Sequence, residues 1–572
     1  MPRAEDSQQL EANDTQSPSN EMPDRDTMRT MIDCVRQDVI DIEAFYNCNF
    51  SSTRTQRLKD YFNSTLSGLL AVPYARLDLE GQTDYVLLQK YLHRQLRGLK
   101  AFESAHKELE PLVEPFASVL VTLLERRQSV TPMTGKYAAD VLSASTTEAR
   151  GRCAKIRDGK LQMSGDEARF AAYRAVDVLH DLLRLMREWF EFYNGYDPTF
   201  TWWVAKPHEL LLGALQELAE TIRKDLVGMD NEDGNAIVRQ PTGRDSILAS
   251  LDAQFIAYSP EELIKIAEKE YAWCEDEMIR ASLELGCGRD WKTALELVKN
   301  MYVEPGQQTS LVHELAEEAV AYVKKHDMVT IPAIAEKCWK TYMMSPKRQK
   351  ANPFFLGGES IIVSYPTDTM SHEDKLMSMR GNSRPFSRST VFHELIPGHH
   401  LQYHMIARYR SYRSLFSTPF WMEGWAFYWE FLLYDSDFTQ KPEDRIGMLF
   451  WRMHRCARIV FSIKFHLGEM TPQECIDYLV DKVGHERAAA EGEVRRSFNG
   501  DYSPLYQAGY MLGALQFRAM RQDVVDNGLM AEKEFHDRVL KEGQMPIEVL
   551  RALLTGKSLR KDHKASWRFY DL

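Results

Sequence analysis

The sequence has no run of about 18 apolar residues, so hydropathy gives no membrane-spanning helix. It has no CxxC pair: Cys34, Cys48, Cys153, Cys274, Cys287, Cys338, Cys456 and Cys475 stand singly. That spacing fits the reduced thiols of a cytoplasmic protein better than a thiolate zinc site or a disulfide framework. Positive charge is not in excess either. Lys and Arg number 71 against 83 Asp and Glu, a net charge of -12, so the basic patch that nucleic acid or an anionic membrane requires is not indicated. No internal repeat is present. Residues 1–27 are polar and lack the basic start and apolar stretch of a secretory signal, and disorder is expected there.

What is present is mostly helical pattern. From Asp84 to Pro111 the residues Val86, Leu87, Tyr91, Leu92, Leu96 and Leu99 recur at steps of three and four amid charged neighbours. Similar stretches run over Glu167–Tyr193, Pro207–Leu226, Pro260–Leu285 and Thr309–Lys325, and again after Pro442 and Thr471. Ser259-Pro260 and Thr471-Pro472 each read as an N-cap followed by a first-turn proline. Asp230–Asp245 is polar, contains Gly and Pro, and reads as an exposed loop. One segment breaks the helical pattern. In Asn352–Asp368, Gly357-Gly358 signals a turn, and Ile361–Tyr365 is the best strand candidate. A mainly α fold follows, with residues 28–572 as its body and a catalytic core over about 350–545.

Thr390–His404 reads TVFHELIPGHHLQYH, four of the chain's 16 histidines within twelve positions, with a glutamate directly after the first. A catalytic zinc generally takes three protein ligands and leaves one position for water. In HExxH helices the histidines hold the metal and the glutamate takes a proton from water. Here Pro397 occupies the second histidine's place, and histidines follow at 399 and 400. On an unbroken helix His400 faces the same way as His393 but about 10 Å along the axis, so a break at Pro397 is needed to unite them. This reading favours His400 over His399 as the second ligand. In FWMEGWAFYWE, Glu423 is costly to bury unpaired and is the third candidate. Glu430 is read as an acceptor that orients a ligand imidazole, or as a partner of Arg452 or Arg455.

The segments HELIPGHHLQ and EGWAFYWE resemble the DUF885 family, which is marked by HExxPGHHLQ and EGWAxYxE and is in turn similar to gluzincin peptidases, including the helical cleft enzymes related to angiotensin-converting enzyme. The resemblance runs from about Tyr85 to the C-terminus. It implies a large two-lobed helical scaffold with a deep cleft and a small sheet near the zinc helix, a substrate lying along the strand at Ile361–Tyr365. GDYSPLYQAGYMLGALQF is similar to the family's PGQAxxYxxG segment and implies Tyr510 as oxyanion donor, with Tyr506 in reserve. Leu505 and Tyr506 replace the family's Gly and Gln there. RCARIVFSIKFHLGEMT implies His466 as a further donor to substrate, although Ser462 stands where the family has Asp.

The combined expectation is one zinc per chain on His393, His400 (or His399) and Glu423. Glu394 would be the base, Tyr510 and His466 the catalytic donors, and an amide bond of a short peptide or small amide the target. The rivals are a zinc enzyme modifying amides in specialised metabolism, a non-catalytic binding protein on the same scaffold, and a non-heme iron oxidase on the same donors. No nucleic acid or membrane partner is expected.

Overall fold

The computed structural model describes residues 25–163, 165–229, 237–349, 354–436, 438–498, 500 and 502–572. Among the described residues the chain is mainly helical, with one small parallel sheet. The expected stretches appear as Leu79–Val113, Asp166–Tyr193, Pro260–Glu284, Gln308–Lys325, Pro442–His466 and Pro472–Val483. Ser259 and Thr471 each close a capping box with Glu262 and Glu474, which satisfies backbone donors that the first helical turn leaves open. The helix expected from Pro207 starts earlier, at Pro198, because Asp197 caps it by accepting from Phe200 N, and Pro207 lies inside it. Most of the expected N-terminal tail lies outside the described residues, but residues 25–27 already belong to the helix Arg25–Phe45. The expected loop Asp230–Asp245 lies outside them up to residue 236. Residues 237–243 are neither helix nor strand, and the helix Arg244–Ala253 follows.

Six helices build the site: α1 (Arg384–Glu394), α2 (His399–Ile406), α3 (Pro419–Tyr434), α4 (Pro442–His466), α5 (Arg487–Phe498) and α6 (Tyr506–Arg521). Helix α3 is apolar nearly all round, as a helix buried on every side should be. Its Trp421, Trp425 and Trp429 are fully buried beside Met511, Leu512 and Leu515 of α6. Helices α3 and α6 approach almost backbone to backbone. A Cβ built on Gly513 would lie 2.1 Å from the Phe420 carbonyl oxygen, and one on Gly424 would lie 2.6 Å from Gly513 Cα. Only glycine fits at such a crossing. Helix α4 buries Phe450 and Phe461 in a second cluster with Cys274 and Met278 of the helix Pro260–Glu284. A separate apolar cluster gathers Leu120, Leu142, Leu182 and Leu215 from earlier helices.

Strand β1 (Lys340–Met343) pairs in parallel with β2 (Ser360–Val363), Thr341 opposite Ile361. Ile361 and Val363 pack on Val391 and Leu395 at the end of α1, so the sheet does sit against that helix. The strand is shorter than the sequence suggested and is not a free edge. At Ile362 an antiparallel bridge to Leu356 occupies the side that β1 leaves open. Phe355, Leu356 and Gly357, not residues 361–365, therefore face the cavity described next.

Candidate metal centre

Helix α1 ends at Glu394, and a four-residue break, Leu395–Gly398, precedes α2. The break folds back tightly. Gly398 N donates to Phe392 O at 3.0 Å, and a Cβ on Gly398 would fall 1.8 Å from the His393 carbonyl oxygen. Trp425 of α3 pins the turn by donating its indole N–H to Pro397 O at 3.0 Å. Because α2 starts on a new axis, His399 and not His400 is brought to His393. His399, His393 and Glu423 each offer a donor atom, all within 4.8 Å of one another and all buried. His400 instead sets its Nε2 at 3.0 Å from the Ala335 carbonyl, so the preference for it as second ligand is corrected.

The two imidazoles are held in matching fashion. His393 Nδ1 is 2.8 Å from Glu430 Oε1, and His399 Nδ1 is 3.2 Å from Gln402 Oε1. Gln402 is itself oriented, donating its amide to Trp421 O at 3.2 Å. With both acceptors taking an Nδ1–H, each ring carries its lone pair at Nε2. Both Nε2 atoms converge on Glu423 Oε2, at 3.7 Å from His393 and 3.1 Å from His399. Tyr506 donates its hydroxyl to the other oxygen, Glu423 Oε1. Donors that share a tetrahedral ion at 2.0–2.2 Å lie about 3.3–3.6 Å apart, and the separations of 3.1 and 3.7 Å fall within about 0.2 Å of that range. Two lone pairs facing a carboxylate also need a positive charge between them. Among protein groups alone that charge falls on protons. Burial works against the His393 imidazolium, yet Glu423 and Glu430 outweigh it and hold His393 up at about 9. Burial likewise opposes the Glu423 carboxylate, and the imidazoles overcome it, holding Glu423 well below its usual range.

The donors open onto a cavity of about 750 Å³. Glu394 lines it, its pKa raised by burial. Tyr510 lines it too, with its ring 6.3 Å from that of His393, and burial together with Glu423 keeps its hydroxyl protonated far above neutrality. His466 is not among the cavity's lining residues. It ends α4 against Phe465 and Phe498, and its backbone carbonyl accepts from Gly243, so the expectation of a donor to substrate is corrected. Three contributors were not foreseen: Gln402, visible in the motif as the residue one helical turn past His399; Gly357, which packs against Glu394; and Arg496, for which no local pattern gives a signal.

The model of one family, described as bacterial proteins of unknown function (DUF885), matches residues 48–554. No curated protein matches the sequence. Among solved structures, the fold is similar to a provisionally named lipoprotein of unknown function from Shewanella oneidensis, with a TM-score of 0.67 and 16% identity over 92% of this chain and 99% of that one. It is also similar to a provisionally named lipoprotein from Colwellia psychrerythraea, with a TM-score of 0.58 and 16% identity over 92% and 98% of the two chains. With the family match covering most of its length, the chain belongs to the DUF885 family.

Proposed function

We propose that this protein is a metallohydrolase that holds one divalent cation, zinc by the nature of its donors, on His393, His399 and Glu423, and cleaves an amide bond in a short peptide or small amide. The observation that carries the proposal is the convergence of two Nε2 atoms on one carboxylate oxygen, each ring fixed from behind through its Nδ1. Such backing of ligand imidazoles is the habit of zinc centres. Bound there, zinc acidifies a water and polarises a carbonyl.

The chain's own groups supply the rest. Glu394 takes a proton from the attacking water as its oxygen joins the carbonyl carbon, then hands that proton to the nitrogen as the C–N bond breaks. Tyr510 donates its O–H to the oxygen on which charge develops. Tyr506 orients Glu423, so the aromatic that departs from the family's PGQA segment contributes a hydroxyl. The likeness to gluzincin peptidases supports this assignment of roles. A reducing, cytoplasmic setting is part of the proposal, supported by eight free cysteines. No helix among the described residues is long and apolar enough to cross a membrane.

Elemental analysis of the purified chain, with hydrolysis of a short-peptide library in the presence and absence of chelator, tests the proposal. About one zinc per chain is expected, lost in His399→Ala and kept in His400→Ala, with hydrolysis that chelator abolishes. A metal-free protein, or zinc retained by His399→Ala and lost in His400→Ala, would overturn it. Iron with a visible absorption band would favour an oxidase on the same donors.

A further inference from the structure

Three arginines line the same cavity: Arg455 and Arg458 of α4 and Arg496 of α5. Their side chains are only 9%, 4% and 11% exposed. A buried guanidinium is costly unless it is paired and hydrogen-bonded, and these three are poorly served. Arg458 Nε donates to Glu493 Oε1 at 2.7 Å. Arg496 Nε is 3.9 Å from Glu493 Oε2, and Arg455 Nη2 is 3.7 Å from a Glu430 oxygen that His393 already engages. Both distances exceed hydrogen-bond reach. Among the described residues, Nε and Nη1 of Arg455, Nη1 of Arg458 and Nε of Arg496 are buried without a hydrogen-bond partner. Tyrosine rings support the cations: Arg458 and Arg455 lie 4.4 and 5.4 Å from the Tyr510 ring, and Arg496 lies 5.3 Å from that of Tyr502.

Among the described residues, the charges around the cavity do not balance. Glu394, Glu423, Glu430 and Glu493 stand against three guanidiniums and the divalent cation proposed above, which leaves one positive charge over. Water-exposed charge would need no partner, but a buried surplus beside a catalytic centre is suited to an anion brought by the substrate.

We infer that the Arg455–Arg458–Arg496 wall receives a carboxylate of the substrate, so that the enzyme acts on peptides or acyl-amides carrying a carboxylate close to the scissile bond. The inference rests on the hydrolase reading above. The planar fork of arginine matches a carboxylate in shape and charge. Tyr510 sets the distance, with the His393 ring 6.3 Å to one side and the Arg458 guanidinium 4.4 Å from the same ring. Allowing about 3 Å for the hydrogen bond and about 2 Å for a metal bond, and about 3.5 Å of chain per residue, the carboxylate lies at most about two residues from the reacting carbonyl. It is either the terminal α-carboxylate or an acidic side chain.

Calorimetric titration of the zinc-loaded full chain carrying Glu394→Gln, which leaves probes uncut, tests this. The probes are acetyl-Ala-Phe as free acid, acetyl-Ala-Phe amide, and acetyl-Ala-Glu amide. One of the acidic probes is expected to bind at least about tenfold more tightly than the neutral amide, as a charge-assisted arginine pair provides. A free-acid preference identifies the terminal carboxylate; a preference for the Glu amide identifies the side chain. Arg496→Gln, and the paired change Arg458→Gln with Glu493→Gln, which strands neither partner, should each cut the preference to under about threefold, while circular dichroism and zinc content stay as in the parent. Neither acid binding more tightly than the neutral amide, no binding included, overturns the inference, as does a preference undiminished in both variants. Zinc and wild-type turnover without a carboxylate preference sink this inference alone. A carboxylate preference in a protein that holds no zinc and cleaves nothing sinks the hydrolase reading and leaves the arginine wall as a carboxylate-binding site only.

Discussion

At Glu394 the space available is set by a neighbour with no side chain. A Cβ built on Gly357 would lie 2.0 Å from Glu394 Oε2 and 2.8 Å from its Cα, so the carboxylate and the backbone beneath it rest directly on the segment before β2. Gly357→Ala should push the base out of place, costing about 1–3 kcal/mol of stability through overpacking and at least about 100-fold in kcat, since small misplacements of a catalytic group cost that much. Turnover at the parent rate with a parent-like Tm would show that Glu394 does not depend on that contact. Glu430 acts one bond further back. Glu430→Ala removes the acceptor of His393 Nδ1–H and should weaken zinc binding about 10- to 100-fold in competition with a chromogenic chelator; unchanged affinity would show that the imidazole needs no such backing. The placing of Glu394 and Glu430 beside His393 was partly legible in the sequence, because HE followed by a carboxylate on an aromatic helix is the pattern of the proposed chemistry. The choice between His399 and His400 was not. Helical periodicity carries the direction of a side chain only while the helix continues, and past Glu394 the direction is set by the backbone of Leu395–Gly398 and by the Trp425 indole that holds it.

Helices α3 and α6 deliver Glu423 and the tyrosines to one point, and their glycines set how closely they do so. In an ordinary exposed helix position, Gly→Ala stabilises by up to about 1 kcal/mol. At Gly513 the opposite sign is expected, because the added methyl would meet the Phe420 carbonyl oxygen at 2.1 Å and the helix axes would have to part. Gly513→Ala should therefore lower Tm, by several degrees or more, and lower zinc content with it as Tyr506 moves off Glu423. A raised or unchanged Tm would contradict the close crossing. This gives the glycine of EGW and the glycine three residues after Tyr510 a physical meaning that pattern-reading alone missed. Sequence reasoning recognises glycine readily as a turn former. A helical glycine used for close approach looks like any other until the partner helix is known. Proline-capped helix starts and apolar periodicity were legible because each is decided within one or two turns. The bridge from Leu356 to Ile362 was not, since it depends on how the chain folds back across Gly357-Gly358.

Over the whole molecule, helix packing has sealed several imidazoles away from water and away from the proposed cation site. His466, His485 and His536 are buried, and loss of hydration lowers their pKa values to about 3, about 3 and about 4, with His454 also well below its usual value. Each is neutral in the fold and takes up a proton on unfolding once the pH drops below about 6.5, so the unfolded chain binds more protons and acid erodes stability. The contribution is intact above pH 6.5 and is lost progressively as pH falls toward the folded-state values. The metal-site histidines complicate a direct measurement, because in zinc-free protein His393 is raised and works in the opposite sense. A difference between two proteins removes that complication. His466 contacts Phe465 and Phe498 and none of the proposed ligands. Zinc-free wild type and zinc-free His466→Gln should therefore share every other titration, while the wild type loses about 2 kcal/mol more between pH 7 and pH 5. Urea unfolding at the two pH values reads this directly, and any constant cost of the substitution cancels. Equal losses in the two proteins would mean that His466 titrates in the fold as it does in the unfolded chain, and that its burial against Phe498 does not exclude water as the packing indicates.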